Sequence, residues 1–124
     1  MKPPSIFNIF KNLTRNFFSN TSHMEKLVEK GVTIIDSNST YIDESVSIES
    51  GTIVHPSTYI LGDSEISSNC IIGPNSTISN TKISKKSNIL YSIVLDSIIG
   101  ENSNIGPFSY ITVSYTHLPL PPKA

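Results

Sequence analysis

Few side chains in this 124-residue sequence are suited to catalysis, and they stand far apart along the chain. Its three histidines are His23, His55 and His117. As a general base, His55 would need a substrate groove and a partner that orients the imidazole. A lone histidine next to a proline is more often simply solvated, and we predict this for His55. Three histidines can also bind zinc, but His23 and His117 lie outside the repeat described below, so the sequence does not support such a site.

The single cysteine and a group of three lysines are the other candidates. Cys70 falls at a position that the repeat places in the interior, where apolar surroundings raise a thiol pKa, so we predict a packed thiol and no nucleophile. A single cysteine allows no internal disulfide and fits a reducing compartment. Lys82, Lys85 and Lys86 suggest either a phosphate or coenzyme A contact or a solvated face, and the solvated face is our prediction. The sequence thus predicts no catalytic, cofactor-binding or metal-binding residue in this chain.

Composition argues against several classes of partner. The net charge is −1, so no overall field favours nucleic acid or an anionic membrane. No apolar run approaches the length of a transmembrane helix. Residues 1–22 form an unmatched N-terminal extension that carries Lys2, Lys11 and Arg15 and no acidic residue. Its apolar residues fall at helical spacing, which suggests either a basic amphipathic helix at a membrane surface or an extension without a partner segment.

A period of six residues dominates the rest of the sequence. Aliphatic residues recur at Ile42, Ile48, Val54, Ile60, Ile66, Ile72, Ile78, Ile83, Ile89, Val94, Ile99, Ile105 and Ile111. Small or β-branched residues follow most of them by four positions, at Val46, Thr52, Thr58, Ser64, Cys70, Ser76, Ser87, Ser103 and Ser109. Just before the small residue often stands one that tolerates a left-handed backbone, namely Gly51, Asp63, Asn69, Asn75 or Asn102. Neither a plain strand nor a helix has this period, whereas a hexapeptide solenoid does.

We therefore predict an all-β chain that folds as a single-stranded, left-handed parallel β-helix. The twelve repeats from Ile42 to Tyr110 make about four triangular coils, and the five-residue repeats should tighten corners without breaking the stack. The helical pattern MEKLVEK ends at Gly31, which suits a helix C-cap. The predicted domain boundaries are residues 23–111 for the partial solenoid and 112–124 for a tail.

Four runs of sequence carry a resemblance to one family. They are GVTIIDSNSTYI (31–42), VHPSTYI (54–60), IIGPNSTI (71–78) and YSIVLDSIIGENSNIGPFSYI (91–111). Residues 23–111 resemble the first coils of the acetyltransferase domain of the bacterial bifunctional N-acetylglucosamine-1-phosphate uridyltransferase/glucosamine-1-phosphate acetyltransferase. The resemblance implies a cytoplasmic homotrimer that makes UDP-N-acetylglucosamine for cell-wall peptidoglycan, using acetyl-CoA and Mg²⁺.

The chain departs from that family after its IGPF element. The family has an Arg-Pro-Gly run there, whose arginine binds the sugar phosphate, but here Thr112, Val113 and Ser114 occupy the place. Residues 112–124 resemble the translation of a transposon end used in sequencing, so we expect a non-native tail, the alternative being a natural proline-rich one. We therefore expect an inactive fragment that is only a trimerising scaffold without bound cofactor. The alternatives are the C-terminal β-helix of a glucose-1-phosphate nucleotidyltransferase and a non-catalytic structural module.

Overall fold

A computed structural model describes residues 22–113, and the fold of this part is a β-solenoid with one short helix at its start. Helix α1 covers residues 22–30. The strands are β1 (Thr33–Ile34), β2 (Tyr41–Ile42), β3 (Ser47–Ile48), β4 (Ile53–Val54), β5 (Tyr59–Leu61), β6 (Glu65–Ile66), β7 (Ile71–Ile72), β8 (Thr77–Ser79), β9 (Lys82–Ile83), β10 (Asn88–Ile89), β11 (Ile93–Leu95), β12 (Ile98–Ile99), β13 (Asn104–Ile105) and β14 (Tyr110–Thr112). No helix in this range is long and apolar enough to cross a membrane.

The strands form three parallel sheets, one for each side of a triangular prism. Sheet 1 has the order β1-β4-β7-β10-β13, sheet 2 has β2-β5-β8-β11-β14, and sheet 3 has β3-β6-β9-β12. Every pairing is parallel and joins strands one coil apart, as in the register of Val54 with Ile72 and of Ile72 with Ile89. The predicted left-handed parallel β-helix is confirmed in its architecture. The described residues make four complete coils and two strands of a fifth.

The six-spaced aliphatic residues fill the prism. Those that are buried are Ile42, Ile48, Val54, Ile60, Ile66, Ile72, Ile78, Ile83, Ile89, Val94, Ile99 and Ile105. Each occupies the same strand position in its coil, so the side chains stack in three interior columns. Met24 and Leu27 of α1 join this core at its first coil, together with Val32. At the other end of the described range, Ile111 is only partly buried.

Small inward residues at the corners provide hydrogen-bond partners for buried backbone groups. The hydroxyl of Ser76 donates to the carbonyl of Pro74 at 3.2 Å and accepts the N–H of Ser92 at 3.3 Å from the next coil. The Ser92 hydroxyl donates to Leu90 O and accepts the N–H of Ser109 in turn. Buried backbone groups need such partners, because an unpaired one costs free energy. Stacked hydroxyls therefore connect the coils along the corners as well as along the strands.

The corners turn through left-handed backbone, as predicted, with one correction. Gly51, Asn69, Asn75 and Asn102 have φ values between 53° and 85°. The prediction was wrong at Asp63, because β5 extends to Leu61 and the left-handed position falls on Gly62, with φ of 68°.

The solenoid also begins one strand earlier than the repeat count indicated. Strand β1 pairs with β4, with Ile34 opposite Val54, although the spacing from Ile34 to Ile42 is eight residues. The longer spacing hid this strand from the six-residue pattern. The five-residue repeats that begin at Ile78, Ile89 and Val94 keep the parallel register, as expected. The predicted extension lies outside the described residues except for residue 22, and so does the predicted tail except for residues 112–113.

Candidate functional site

His55 lies at the corner between sheets 1 and 2, half-buried at the end of β4. Its backbone is engaged, since its N–H donates to Ile72 O at 2.8 Å and its carbonyl accepts the Thr58 hydroxyl at 2.8 Å. Among the described residues, no side chain is hydrogen-bonded to the imidazole to orient it. His55 is therefore a corner residue that lacks, among the described residues, the orienting partner that general base catalysis needs.

The remaining described histidine has a structural contact. His23 in α1 places Nε2 3.1 Å from the carbonyl oxygen of Val46, and this contact ties the start of the helix to the first coil. His117 lies outside the described residues. Within residues 22–113, no group of three or more His, Cys, Asp or Glu side chains is gathered in a way that could hold a metal ion.

Cys70 is a packed interior thiol, as the repeat predicts. Its side chain is fully buried, and Sγ lies 3.2 Å from Ser84 O and 3.7 Å from Ser68 O, to which the thiol can donate. Burial raises the pKa of Cys70, outweighing the backbone hydrogen bonds that lower it. A neutral buried thiol is a poor nucleophile, so Cys70 serves packing.

The three lysines are spread over two surfaces and do not converge. Lys82 points outward from sheet 3, with Nζ 3.9 Å from a carboxylate oxygen of Glu65. Lys85 stands at the next corner, with Nζ 4.0 Å from Glu101. These side chains are more than half exposed, and such pairs contribute at most about 1 kcal/mol. The arrangement fits a solvated face better than a phosphate site.

Two Gly-Pro corners form the IIGPN and IGPF elements that carry the family resemblance. Gly73 and Gly106 both have strongly positive φ, at 92° and 112°. A Cβ at Gly73 would also collide with the Thr58 hydroxyl, and one at Gly106 with the Leu90 carbonyl. Glycine is required at both positions by conformation and by the close approach of the neighbouring coil. These elements therefore shape corners and contribute no reactive group.

Sheet 2 has the most apolar outer surface of the three. We call its outward column of strand-leading residues the tyrosine column: Tyr41, Tyr59, Thr77, Ile93 and Tyr110. Its four large members are between 41% and 65% exposed, so the column offers an apolar strip that Thr77 interrupts in the third coil. The equivalent columns of sheets 1 and 3 mix Ile with Asn, Glu, Lys or Ser. Sequence reasoning missed this strip, because its members are 16 to 18 residues apart.

Comparison with known proteins agrees with the geometry. A sequence profile described as bacterial transferase hexapeptide (six repeats) matches residues 45–80. The bifunctional protein GlmU of Clostridioides difficile strain 630 is 47% identical over 92 residues, which is 74% of this chain and 19% of that protein. The repeat matched at residues 45–80 lies within the β-solenoid. The bifunctional protein GlmU of Caldanaerobacter subterraneus subsp. tengcongensis is 48% identical over 87 residues, and that of Brevibacillus brevis 38% over 91 residues.

These relatives confirm the resemblance stated from the four sequence runs. The matched segments cover 70% and 73% of this chain in the Caldanaerobacter and Brevibacillus proteins and 19% of each relative. The chain therefore spans about a fifth of the length of the curated proteins it matches. Within residues 22–113, the β-helix gathers no group of His, Cys, Asp or Glu side chains that could hold a metal ion.

Proposed function

We propose that the chain is part of a bacterial sugar-phosphate acetyltransferase/uridyltransferase of UDP-N-acetylglucosamine biosynthesis. The intact protein would transfer an acetyl group from acetyl-CoA to glucosamine-1-phosphate and then form the UDP-sugar. The observation that carries this proposal is the 47% identity over 92 residues with a protein named bifunctional GlmU. The hexapeptide repeat alone would favour only a broader class of transferases.

Within that protein, the role we assign to this chain is a rigid scaffold in a cytoplasmic homotrimer. Parallel strands lock every coil to the next, and the corner hydroxyls add further connections, so the prism can hold neighbouring subunits at a fixed spacing. A scaffold of this kind positions loops and subunit edges without needing reactive side chains of its own.

The cofactors implied by the family find no site among the described residues. Mg²⁺ prefers several oxygen ligands, but no suitable group of acidic side chains is gathered in residues 22–113. The phosphates of acetyl-CoA would need convergent cations, and Lys82 and Lys85 stand on different surfaces next to Glu65 and Glu101. No reaction step is therefore assigned to these residues.

A domain graft tests the proposal. Residues 31–111 would replace the matching segment of the Clostridioides difficile relative, and acetyl transfer from acetyl-CoA to glucosamine-1-phosphate would be measured. We expect the graft to keep activity within about tenfold of the parent. A scaffold that misplaced the reacting groups by about 1 Å would lower the rate roughly 100-fold. Light scattering should give the mass of a trimer.

A matched control separates function from folding. The same graft carrying Ile72→Asp places a charge in the interior and should abolish both assembly and activity. A graft that gives a normal circular dichroism spectrum but is monomeric, or is trimeric but inactive, would contradict the proposed function.

A further inference from the structure

We propose that the tyrosine column of sheet 2 is the docking site for the chain's own residues 1–21. The inference goes beyond the proposed transferase lineage and does not depend on it. It starts from the exposed apolar strip, which none of the described residues covers. Large apolar strips on a soluble protein usually mark an interaction surface.

On one side of this strip, three of the four corners are acidic. Asp43, Glu44, Asp63 and Asp96 lie where sheet 2 turns into sheet 3, and we call them the acidic edge. Neither the strands of sheet 2 nor these corners contain a lysine or an arginine. The strip and its edge thus present apolar surface beside uncompensated negative charge, which favours a partner that is apolar on one side and basic on the other.

Residues 1–21 have this chemistry. They contain Lys2, Lys11 and Arg15 and no acidic residue. Their large apolar side chains are Ile6, Phe7, Ile9, Phe10, Leu13, Phe17 and Phe18. The apolar residues, which fall at helical spacing, match the apolar strip, and the basic residues are opposite in charge to the acidic edge.

The point of attachment is also close to the strip. Helix α1 begins at residue 22, and His23 contacts the carbonyl of Val46, which ends the corner that contains Asp43 and Glu44. Twenty-one residues span about 31 Å in a helix, and the five strands of sheet 2 rise about 19 Å. The segment is therefore long enough to reach every coil of the strip. A short tether also gives it an effective concentration of about a millimolar, well above that of a free partner.

Trypsin cleavage of the full-length chain tests this docking. Cleavage after Lys11 and Arg15 would be followed by mass spectrometry in the wild type and in two variants of the fourth coil. Ile93→Glu places a charge within the tyrosine column, where Ile93 lies between Thr77 and Tyr110. Ile98→Glu makes the same change on sheet 3, at a side chain of similar exposure, 36% against 41%.

We expect Ile93→Glu to speed cleavage at both sites by about tenfold and Ile98→Glu to change it less than about twofold. Circular dichroism establishes that both variants are folded, and Thr77→Glu provides a second variant on the same column. Equal cleavage rates in all proteins would overturn the proposal. Protection of the wild type that disappears on dilution would identify a second copy as the occupant and also overturn it.

A membrane is the remaining alternative occupant. Vesicles of phosphatidylcholine and phosphatidylserine would be floated with each protein. If the segment docks, the Ile93→Glu variant should float more than the wild type, because the freed segment becomes available to the lipid. If both proteins float with the vesicles to the same extent and are cleaved at equal rates in solution, the membrane is the occupant and docking is refuted.

Discussion

Two adjacent isoleucines in β7 allow a direct test of the interior assignment. Ile72 is fully buried between Val54 and Ile89, whereas Ile71 points outward and is 40% exposed. Ile72→Ala removes three carbons at about 0.8 kcal/mol each and leaves a cavity, so the free energy of unfolding should fall by about 3–4 kcal/mol. Ile71→Ala should cost about 1 kcal/mol, most of it from the lower strand propensity of alanine.

The propensity cost applies to both variants, so their difference of about 2 kcal/mol or more isolates burial. Urea unfolding followed by far-ultraviolet circular dichroism measures it, provided that the slopes with denaturant agree. If Ile72→Ala does not fold, Ile72→Val against Ile71→Val repeats the comparison at about 1 kcal/mol. Equal losses for the two positions would refute the assignment of Ile72 to the interior.

Four further outcomes are expected. Gly73→Ala should lower the free energy of unfolding by about 2 kcal/mol or more, measured in urea, because φ is 92° and the new Cβ meets the Thr58 hydroxyl. Cys70 should react with a thiol reagent at least about 100-fold more slowly in the native chain than in urea. The pKa of Cys70 is raised in the folded state, so its contribution to stability is present below about pH 8.5 and is lost as the pH rises further. Urea titrations at neutral and alkaline pH measure this loss, which the Cys70→Ser variant should not show. The 124-residue chain should transfer no acetyl group to glucosamine-1-phosphate above a protein-free control, because His55 lacks an orienting partner among the described residues.

The interior of this fold could be predicted from the sequence because every coil imposes the same demand on it. Each inward strand position must hold an aliphatic side chain, so the demand repeats every five or six residues and is visible along the chain. Ile83 and Val94 stay in phase although the repeats that precede them are shortened, because the corner absorbs the missing residue. The six-residue periodicity therefore arises from the stacking of the coils and not from local strand propensity.

Two features were not predicted from the sequence, because the spacing of the residues changes at both of them. Strand β1 is defined by its pairing with β4, and the eight-residue spacing from Ile34 to Ile42 breaks the local pattern. In the five-residue repeats, the small inward residue moves from the fourth to the third position after the aliphatic one, which is why Thr81, Ser92 and Ser97 were not identified as interior. A search that allowed corners of variable length would have found all three.

Outward side chains, unlike inward ones, are not constrained by the stacking of the coils, so specific function can lie on the outer surface. An inward position tolerates only a few side chains, so one interior column differs little from another. Outward positions face no such demand: in the second coil, sheet 2 carries Tyr59 where sheet 1 carries Ile53 and sheet 3 carries Glu65. Their arrangement is therefore free to encode recognition. A strip that is apolar in four of five coils beside an acidic edge is harder to attribute to folding than any single exposed residue, because nothing in the stacking of the coils requires it.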